Sequence, residues 1–287
     1  TLNGLTYGRL LMKQLRKLGW FTPKPRVIVE VGGGLGYLAR ELGKELLPFE
    51  KQTIRYISLD ITQPFLKLQV TRAKAGGWGG IGTRANGEWL PFKDNSVDLV
   101  IDNENMADMT PVKLTRKELL DGTGDTPQHQ EALDWIRRVR LPLGTDLPED
   151  VIFNLGPFRF VAELWRVLKP GGRAFLTEFG IEEGWPAPVK LPGHTEYEVQ
   201  YSHLRQAVRW LGFQERYLSL PQFLAIKPDT KVLCTGAAYT IQRFCQAMNK
   251  PFPVRAYTEK ELQQALGDML PKLHGCHYHD VADPAWF

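Results

Sequence analysis

The sequence predicts an α/β protein built on a doubly wound, mostly parallel sheet, and three observations support this. Short β-branched runs alternate with helical segments from Val27 to about Thr177, as in consecutive βαβ units. A glycine cluster, Gly32 to Gly36, follows the first of these runs, at a turn where open α/β sheets bind ligands. The 287 residues, 43% of them apolar, suffice for one large α/β domain or two small ones and exclude a disordered chain.

The predicted elements follow one another in a regular order. A helical apolar stripe covers residues 4–18 and is followed by a buried strand, Val27–Val31. A helix from Tyr37 to about Leu47 comes next, and the later strands are Ile54–Leu59, Ile81–Ala85 and Val97–Ile101. A core-facing helix carries Val161, Leu164, Trp165 and Leu168 and ends before a turn at 169–172, after which Ala174–Thr177 form a fifth strand.

Two stretches lie outside this repeat. Residues 110–157 are longer than a usual connection and contain a predicted helix, Glu131–Arg140. Beyond Pro251, a capping box of Thr258 and Glu261 opens a predicted helix to about Met269. We expect a single domain over 1–287, in which the insertion 110–157 forms part of a cap over a pocket and 251–287 is a C-terminal extension.

Composition excludes several classes of function. A net charge of +4 without a dense basic patch argues against a nucleic-acid partner. No apolar run approaches the roughly 18 residues of a membrane span. Three cysteines in no framework spacing, and no recognisable export signal, predict a reducing, cytoplasmic compartment.

The glycine cluster and its acidic neighbours predict a nucleoside pocket. Glycines at this turn let the backbone bend tightly and let a ligand approach without meeting a Cβ. The dinucleotide pattern Gly-x-Gly-x-x-Gly fails at Tyr37, and Glu30 would repel a pyrophosphate but attract a cation, which disfavours an NAD enzyme. Asp60 closes the second strand, where a carboxylate can accept hydrogen bonds from both ribose hydroxyls. A glycine turn used only for packing is the alternative.

These residues resemble the class I S-adenosylmethionine-dependent methyltransferases. Their first motif, an acid followed by Gly-x-Gly-x-Gly, is matched by Glu30, Gly32, Gly34 and Gly36. Asp60, the loop from Asn86-Gly87 to Phe92 and the segment 164–172 are similar to the later motifs, in the right order. The resemblance implies a seven-stranded, Rossmann-like sheet and S-adenosylmethionine as cofactor. It places Asn86 and Gly87 on the adenine side, where the Asn86 side-chain oxygen would accept a hydrogen bond from the adenine amino group.

A narrower resemblance concerns the MidA-like relatives, which include the mitochondrial complex I arginine methyltransferase. Asn103-Glu104 with Ala107-Asp108, and Glu178-Phe179-Gly180, are similar to segments of those proteins. The spacing around His194 differs, and Leu90-Pro91-Phe92 is more typical of small-molecule methyltransferases.

The candidate catalytic residues follow the fourth and fifth strands. An activated methyl group requires an aligned nucleophile, and a hydroxyl or protonated amine acceptor also requires a group that takes up its proton. Glu104 is the first candidate for orienting the acceptor, Glu178 follows the fifth strand, and His194 in the next turn is a candidate base. Each has a structural alternative, such as bracing a loop.

The C-terminal tail is rich in metal-ligand residue types, namely His274, Cys276, His277 and His279. Known zinc spacings are absent, and no distant cysteine pair completes a four-ligand set. We therefore predict no metal site.

The sequence thus predicts a methyltransferase that transfers a methyl group to an oxygen or nitrogen atom of a medium-sized organic or peptidic acceptor. The alternatives are a protein arginine N-methyltransferase of the MidA-like kind and a non-catalytic protein that binds the cofactor or assists assembly. The acceptor and the oligomeric state do not follow from the sequence.

Overall fold

The computed structural model describes residues 6–21, 26–144, 147–191, 193–227, 231–233, 264 and 275–277. The helices are α1 (Tyr7–Lys17), α2 (Tyr37–Lys44), α3 (Pro48–Thr53), α4 (Gln63–Gly76), α5 (Arg116–Asp121), α6 (Pro127–Val139), α7 (Leu155–Val167), α8 (Tyr201–Trp210) and α9 (Leu220–Phe223). The strands are β1 (Arg26–Val31), β2 (Ile54–Asp60), β3 (Ile81–Arg84), β4 (Val97–Asn103), β5 (Val112–Thr115), β6 (Asp150–Phe153), β7 (Leu168–Thr177), β8 (Gly180–Ile181), β9 (Pro188–Leu191), β10 (His194–Tyr197), β11 (Val199–Gln200), β12 (Lys231–Leu233) and β13 (Gly275–His277). A 3₁₀ helix, Met106–Asp108, follows β4.

The chain forms two compact units. Trp20–Arg216 is the larger one, and the described parts of Thr1–Gly19 and Tyr217–Phe287 make up the smaller one. The expected single domain over 1–287 stays a prediction. The C-terminal extension 251–287, with its capping box and its histidines, lies outside the described residues except for Gln264 and the backbone of β13.

The centre of the larger unit is a parallel sheet with the strand order β3-β2-β1-β4-β7. This confirms the doubly wound α/β class. The described residues place five strands in this sheet, where the family resemblance implies seven. The chain leaves β1 towards β2 on one side and resumes at β4 on the other, so a crevice forms outside the carboxyl ends of β1 and β4.

The register of this sheet places two carboxyl groups one residue apart on neighbouring strands. Glu30 on β1 is opposite Ser58 on β2 and Ile101 on β4. Asp102, one residue further along β4, is opposite Val31. Both acidic side chains are buried, although parallel strands covered on both faces are usually lined by apolar residues.

The end of α7 differs from the prediction. Trp165, expected in the core, is 50% exposed and packs edge-on against Phe213. Leu168 already belongs to β7, and its register with β4 shifts between the Val97–Leu168 and Leu99–Arg173 pairs. The predicted turn at 169–172 is therefore a bulge within the strand, with Gly171 at φ +77°.

The described residues of the insertion 110–157 contribute side chains to the core. Its strands β5 and β6 pair antiparallel, and α6 packs beside α7 and α8. Trp135 of α6 contacts Phe158 of α7, with 5.6 Å between ring centroids. The helix predicted over Glu131–Arg140 is confirmed but begins earlier, at Pro127 after the cap Thr126.

The smaller unit contains α1, which confirms the helix predicted over residues 4–18. Thr6 caps this helix, and Leu11 and Leu15 are fully buried. Gln14 Nε2 donates a hydrogen bond to the carbonyl of Leu224 just after α9, at 3.3 Å. In this unit, β12 and β13 pair antiparallel.

Candidate functional site

The glycine loop connects β1 to α2 through three residues with left-handed backbone conformations. Gly32, Gly34 and Gly36 have φ values of +61°, +48° and +76°. A Cβ on Gly36 would lie 2.6 Å from the Cα of Gln69, so this glycine lets the loop approach α4 closely. At Gly34 no atom of the described chain lies within 4 Å of the position of a Cβ. The loop therefore packs closely against α4 at Gly36, whereas Gly34 borders open space.

Glu30 lies directly beneath this loop. A Cβ on Gly33 would be 2.7 Å from Oε2 of Glu30, whose side chain is only 1% exposed. Neither carboxylate oxygen has a hydrogen-bond partner within the described part of the chain. Burial raises the pKa of Glu30 to about 7, and the hydroxyl of nearby Tyr56 lowers it in part. An approaching cation would therefore interact strongly with this group.

Asp60 at the end of β2 is held in a fixed orientation. Its Oδ1 accepts hydrogen bonds from the Thr62 amide (2.8 Å) and hydroxyl (2.9 Å). Its Oδ2 accepts one from Gln69 Nε2 at 2.6 Å, and the same nitrogen donates to the carbonyl of Gly34 at 3.0 Å. Gln69 thereby couples Asp60 to the glycine loop. The carboxylate keeps acceptor capacity for the hydroxyls of a ribose.

The adenine-side loop reaches the same edge of the sheet. The amide of Ala85 donates to the carbonyl of Asp60 at 3.1 Å, which brings Asn86 next to β2. The Asn86 side-chain oxygen accepts a hydrogen bond from the Glu88 amide at 2.9 Å, so one of its two lone pairs is already used. A Cβ on Gly87 would be 2.9 Å from Cγ1 of Val31. The seven predicted cofactor residues thus lie around one edge of the sheet.

Sequence reasoning missed Asn105, which connects the parts of this edge. Its amide lies against Gly32, where a Cβ would meet Oδ1 at 2.0 Å. Its Nδ2 donates a hydrogen bond to Oδ2 of the buried Asp102 at 2.8 Å. Burial, together with Glu178 and Glu30, holds the pKa of Asp102 well above its usual range. The only signal in the sequence was the position of Asn105, three residues beyond Asp102.

A second missed feature is a buried ion-pair network that braces the adenine-side loop. Glu88 is 3% exposed and pairs with Arg159 of α7 at 2.9 Å. Glu88 Oε1 also accepts hydrogen bonds from the amide and hydroxyl of Thr110, at 2.9 Å and 2.7 Å. Arg159 pairs further with Glu131 of the insertion, at 2.6 Å. The insertion is therefore fixed to the loop that follows β3.

The predicted catalytic residues Glu104 and Glu178 lie on neighbouring strand ends. Glu104 adopts φ +55°, and its amide donates to the carbonyl of Thr177 at 2.8 Å. Glu178 is half-buried and accepts hydrogen bonds from the amides of Ala107 (2.9 Å) and Phe179 (3.0 Å). Burial, with Glu104 and Glu196 nearby, raises the pKa of Glu178 to about 7 against the lowering effect of these amides. Glu104 is solvent-accessible, yet surrounding protein and Glu196 raise its pKa as well.

His194, the third candidate, reaches the same region from the β9–β10 hairpin. Its Nε2 lies 2.9 Å from Oε1 of Glu196 and 3.7 Å from Oδ1 of Asp108. Glu196 acts electrostatically on Glu104, Asp108 and Glu178. The structure therefore brings the three candidates together and adds Asp108 and Glu196, which were not predicted as site residues.

The residues at the glycine loop fit S-adenosylmethionine. Both oxygens of Glu30 and Oδ1 of Asp102 are buried and without a hydrogen-bond partner among the described residues, and a nearby cationic group would favour the ionised form of these carboxyl groups. The open space beside Gly34 leaves room for a ligand against the loop backbone. Asp60 offers acceptors for ribose hydroxyls.

Comparison with known proteins agrees with this geometry. Residues 29–120 match the family model described as a methyltransferase domain, and this range includes all seven predicted cofactor residues. The match covers residues 29–120 only, and together with the parallel sheet and its loop it supports a methyltransferase domain in this part of the chain. The match and the geometry of the loop support S-adenosylmethionine as the ligand of this domain. The narrower likeness to MidA-like proteins is not shown and stays a prediction.

Several solved structures are similar to the chain. YcgJ from Bacillus subtilis is 16% identical over 61% of this chain and 50% of its own, with a TM-score of 0.35. A methyltransferase from Methanosarcina mazei is 17% identical over 70% of this chain and 85% of its own, with a TM-score of 0.43. A phosphoethanolamine N-methyltransferase from Haemonchus contortus, bound to phosphoethanolamine and S-adenosylhomocysteine, is 17% identical over 63% of this chain and 28% of its own, with a TM-score of 0.35. No curated protein matches the chain in sequence.

The chain spans only half the length of the B. subtilis protein, so the reaction of the whole protein is a matter for proposal. Within the described ranges, no helix combines the length and apolar character needed to cross a bilayer.

Proposed function

We propose that this enzyme methylates a basic nitrogen, an amine or a guanidine, on a medium-sized organic or peptidic acceptor. The supporting observation is a set of carboxylates that interact electrostatically, in the segments after β4 and β7 and on the β9–β10 hairpin, namely Glu104, Asp108, Glu178 and Glu196. No lysine or arginine of the described residues forms an ion pair with them. A cationic acceptor would offset the negative charge that these groups share.

The roles of the two glutamates follow from their positions. S-adenosylmethionine, when bound, supplies a methyl group already activated on a sulfonium. Glu104 at the open edge would accept a hydrogen bond from an acceptor N–H and orient the nitrogen lone pair. Glu178, whose pKa is raised to about 7, would take up the proton that a protonated amine must lose before it attacks.

The same pair of carboxylates suits a guanidinium, which is planar and donates several N–H bonds in a fixed fork. A peptidic arginine is therefore one acceptor within this proposal, in line with the MidA-like likeness of the sequence. We further propose that the insertion 110–157 borders the acceptor and that the enzyme acts in the cytoplasm, as its few cysteines suggest.

O-methylation is the second candidate, and the His194–Glu196 pair favours it. An imidazole hydrogen-bonded to a carboxylate is oriented to accept a hydroxyl proton. In that reaction His194 would be the base and Glu178 would be dispensable.

A methyl-transfer assay on the purified chain tests these proposals. Labelled S-adenosylmethionine is offered with amines, guanidines, arginine peptides and phenols, and mass spectrometry locates the added methyl group. We expect methylated nitrogen, loss of product in Glu104→Gln and unchanged product in the surface variant Glu183→Gln. Methylated oxygen that depends on His194 but not on Glu178 would replace the proposal by its alternative.

A further inference from the structure

Asp108, His194 and Glu196 bring three metal-ligand atoms together at the rim of the acceptor side. Each residue offers one ligand atom, and these atoms all lie within 4.8 Å of one another. His194 Nε2 is 2.9 Å from a Glu196 oxygen and 3.7 Å from an Asp108 oxygen.

Two separate backbone elements fix this grouping. Asp108 ends the 3₁₀ helix after β4, which packs against β10 and is held by the hydrogen bond from the Ala107 amide to Glu178 at 2.9 Å. His194 and Glu196 stand two residues apart on β10, so they project from the same face of the β9–β10 hairpin. The three groups therefore meet through tertiary structure, across more than eighty residues of sequence.

The ligand types suit one divalent transition ion, and two of the three separations are close to those around such an ion. Ligand atoms about 2.0–2.2 Å from an ion lie roughly 3.0–3.4 Å from each other in tetrahedral or octahedral geometry. The two measured separations bracket this range, and the exposed side chains of Asp108 and His194 can adjust by small rotations. One imidazole with two carboxylates favours Zn²⁺ or Mn²⁺ over Mg²⁺, which prefers oxygen ligands and water.

We propose that Asp108, His194 and Glu196 form a binding site for a divalent transition ion such as Zn²⁺ or Mn²⁺. Three protein ligands leave at least one position for water or for an oxygen atom of the acceptor. A dication here offsets the charge of Glu196, which otherwise acts on Glu104 and Glu178. This inference rests on the proposed function: the ion would take up the charge of Asp108 and Glu196 and hold an anionic or hydroxyl group of the acceptor, which leaves Glu104 and Glu178 to bind the nitrogen.

Calorimetric titration of the metal-free full chain with Mn²⁺ and with Zn²⁺ tests this site. We expect one ion per chain, binding at least 10-fold weaker in His194→Ala and in Glu196→Gln, and unchanged binding in the exposed acidic control Glu183→Gln. Mg²⁺ should bind more weakly than Mn²⁺. The measurement needs neither acceptor nor methyl transfer, so its failure leaves the proposed N-methylation untouched.

A variant with His277 and His279 replaced by alanine separates this site from the tail. Retained binding in that variant, together with loss in His194→Ala, supports the proposal. Binding that disappears with the tail histidines, or that is the same in His194→Ala as in the wild type, would overturn it. No binding of either ion below about 1 mM would also overturn it and leave His194–Glu196 as an ordinary ion pair.

Discussion

The amide of Asn105 lies against the backbone of Gly32 so closely that a Cβ on Gly32 would stand 2.0 Å from Oδ1. Asn105 also donates a hydrogen bond to the buried Asp102, at 2.8 Å. The first turn of the glycine loop and the end of β4 are therefore joined through one side chain. The shape of the cofactor pocket depends on this contact, since both elements border the crevice.

We expect Gly32→Ala to disturb this junction severely. An L-residue at φ +61° is strained by roughly 1–2 kcal/mol, and the new methyl group would also displace Asn105. Affinity for S-adenosylhomocysteine, measured by calorimetry, should fall at least 10-fold. The matched control is Gly122→Ala, outside the glycine loop, where φ is +69° and no described atom lies near the added methyl group.

A second substitution separates strain from the clash. In the Gly32→Ala background, Asn105→Gly removes the side chain that the methyl group would meet, so part of the lost affinity should return. Equal losses in Gly32→Ala and in the double variant would show that the Asn105 contact is unimportant.

Asp60→Ala should weaken the binding of S-adenosylhomocysteine by about 1–3 kcal/mol, because buried ribose hydroxyls would lose a charged partner. Part of any loss could arise through Gln69, which bonds both Asp60 and Gly34. Gln69→Leu tests that part alone. A smaller loss in Gln69→Leu than in Asp60→Ala supports direct contact with the ribose, and unchanged affinity in Asp60→Ala would place this residue away from it.

The arrangement of the cofactor edge could be predicted because parallel strands end at the same edge of a sheet. Glu30, Asp60 and Glu104 each follow or close a strand, so their approximate places follow from the strand positions alone.

Asp108 and Glu196 could not be predicted as neighbours, since their meeting depends on how the β9–β10 hairpin folds back towards the 3₁₀ helix. The buried ion pair of Glu88 and Arg159 could not be predicted either, because no local periodicity encodes an ion pair between a loop and a distant helix. Trp165 had the helical spacing of a core residue, but it packs edge-on against Phe213 and stays half exposed.

The stability of the protein should depend on pH through Glu30. Its pKa is about 7 in the folded chain and about 4.3 in an unfolded one, so the folded state binds the extra proton between these values. Stability therefore falls as pH rises through this window, by ~1–3 kcal/mol from this residue. Glu30→Gln cannot lose a proton and should flatten that part of the curve.

Chemical denaturation at pH 5 and pH 8, without cofactor, measures this effect. The free energy of unfolding of Glu30→Gln, taken relative to that of the wild type, should be higher at pH 8 than at pH 5. Asp102 acts in the same direction, since its pKa is also raised, but it is present in both proteins. A difference that does not change with pH would mean that Glu30 titrates normally in the folded chain.

Glu104→Gln should impair turnover without affecting the cofactor. The substitution keeps the size and one acceptor oxygen of Glu104 but removes the charge that would hold a cationic nitrogen. We expect kcat to fall by roughly 10²–10⁴, with S-adenosylhomocysteine affinity within about 3-fold of the wild type. An equal loss of cofactor affinity would instead place Glu104 at the cofactor.

The last prediction concerns Glu178 as the group that accepts the acceptor's proton. A base must be ionised to work, so kcat/KM for an amine should fall as pH drops through about 7, the raised pKa of Glu178 in the free enzyme. In the acceptor complex a bound cation favours the ionised carboxylate, so the corresponding limb of kcat should lie at lower pH. Glu178→Gln should lower kcat by roughly 10²–10⁴ and remove this limb from the profile. The amides of Ala107 and Phe179 donate to different oxygens of Glu178, so the single oxygen of glutamine can accept from only one of them, and a purely structural role predicts a loss of stability with the limb retained. An acid limb that survives in Glu178→Gln but vanishes in His194→Ala would move the proton to the imidazole and favour a hydroxyl acceptor.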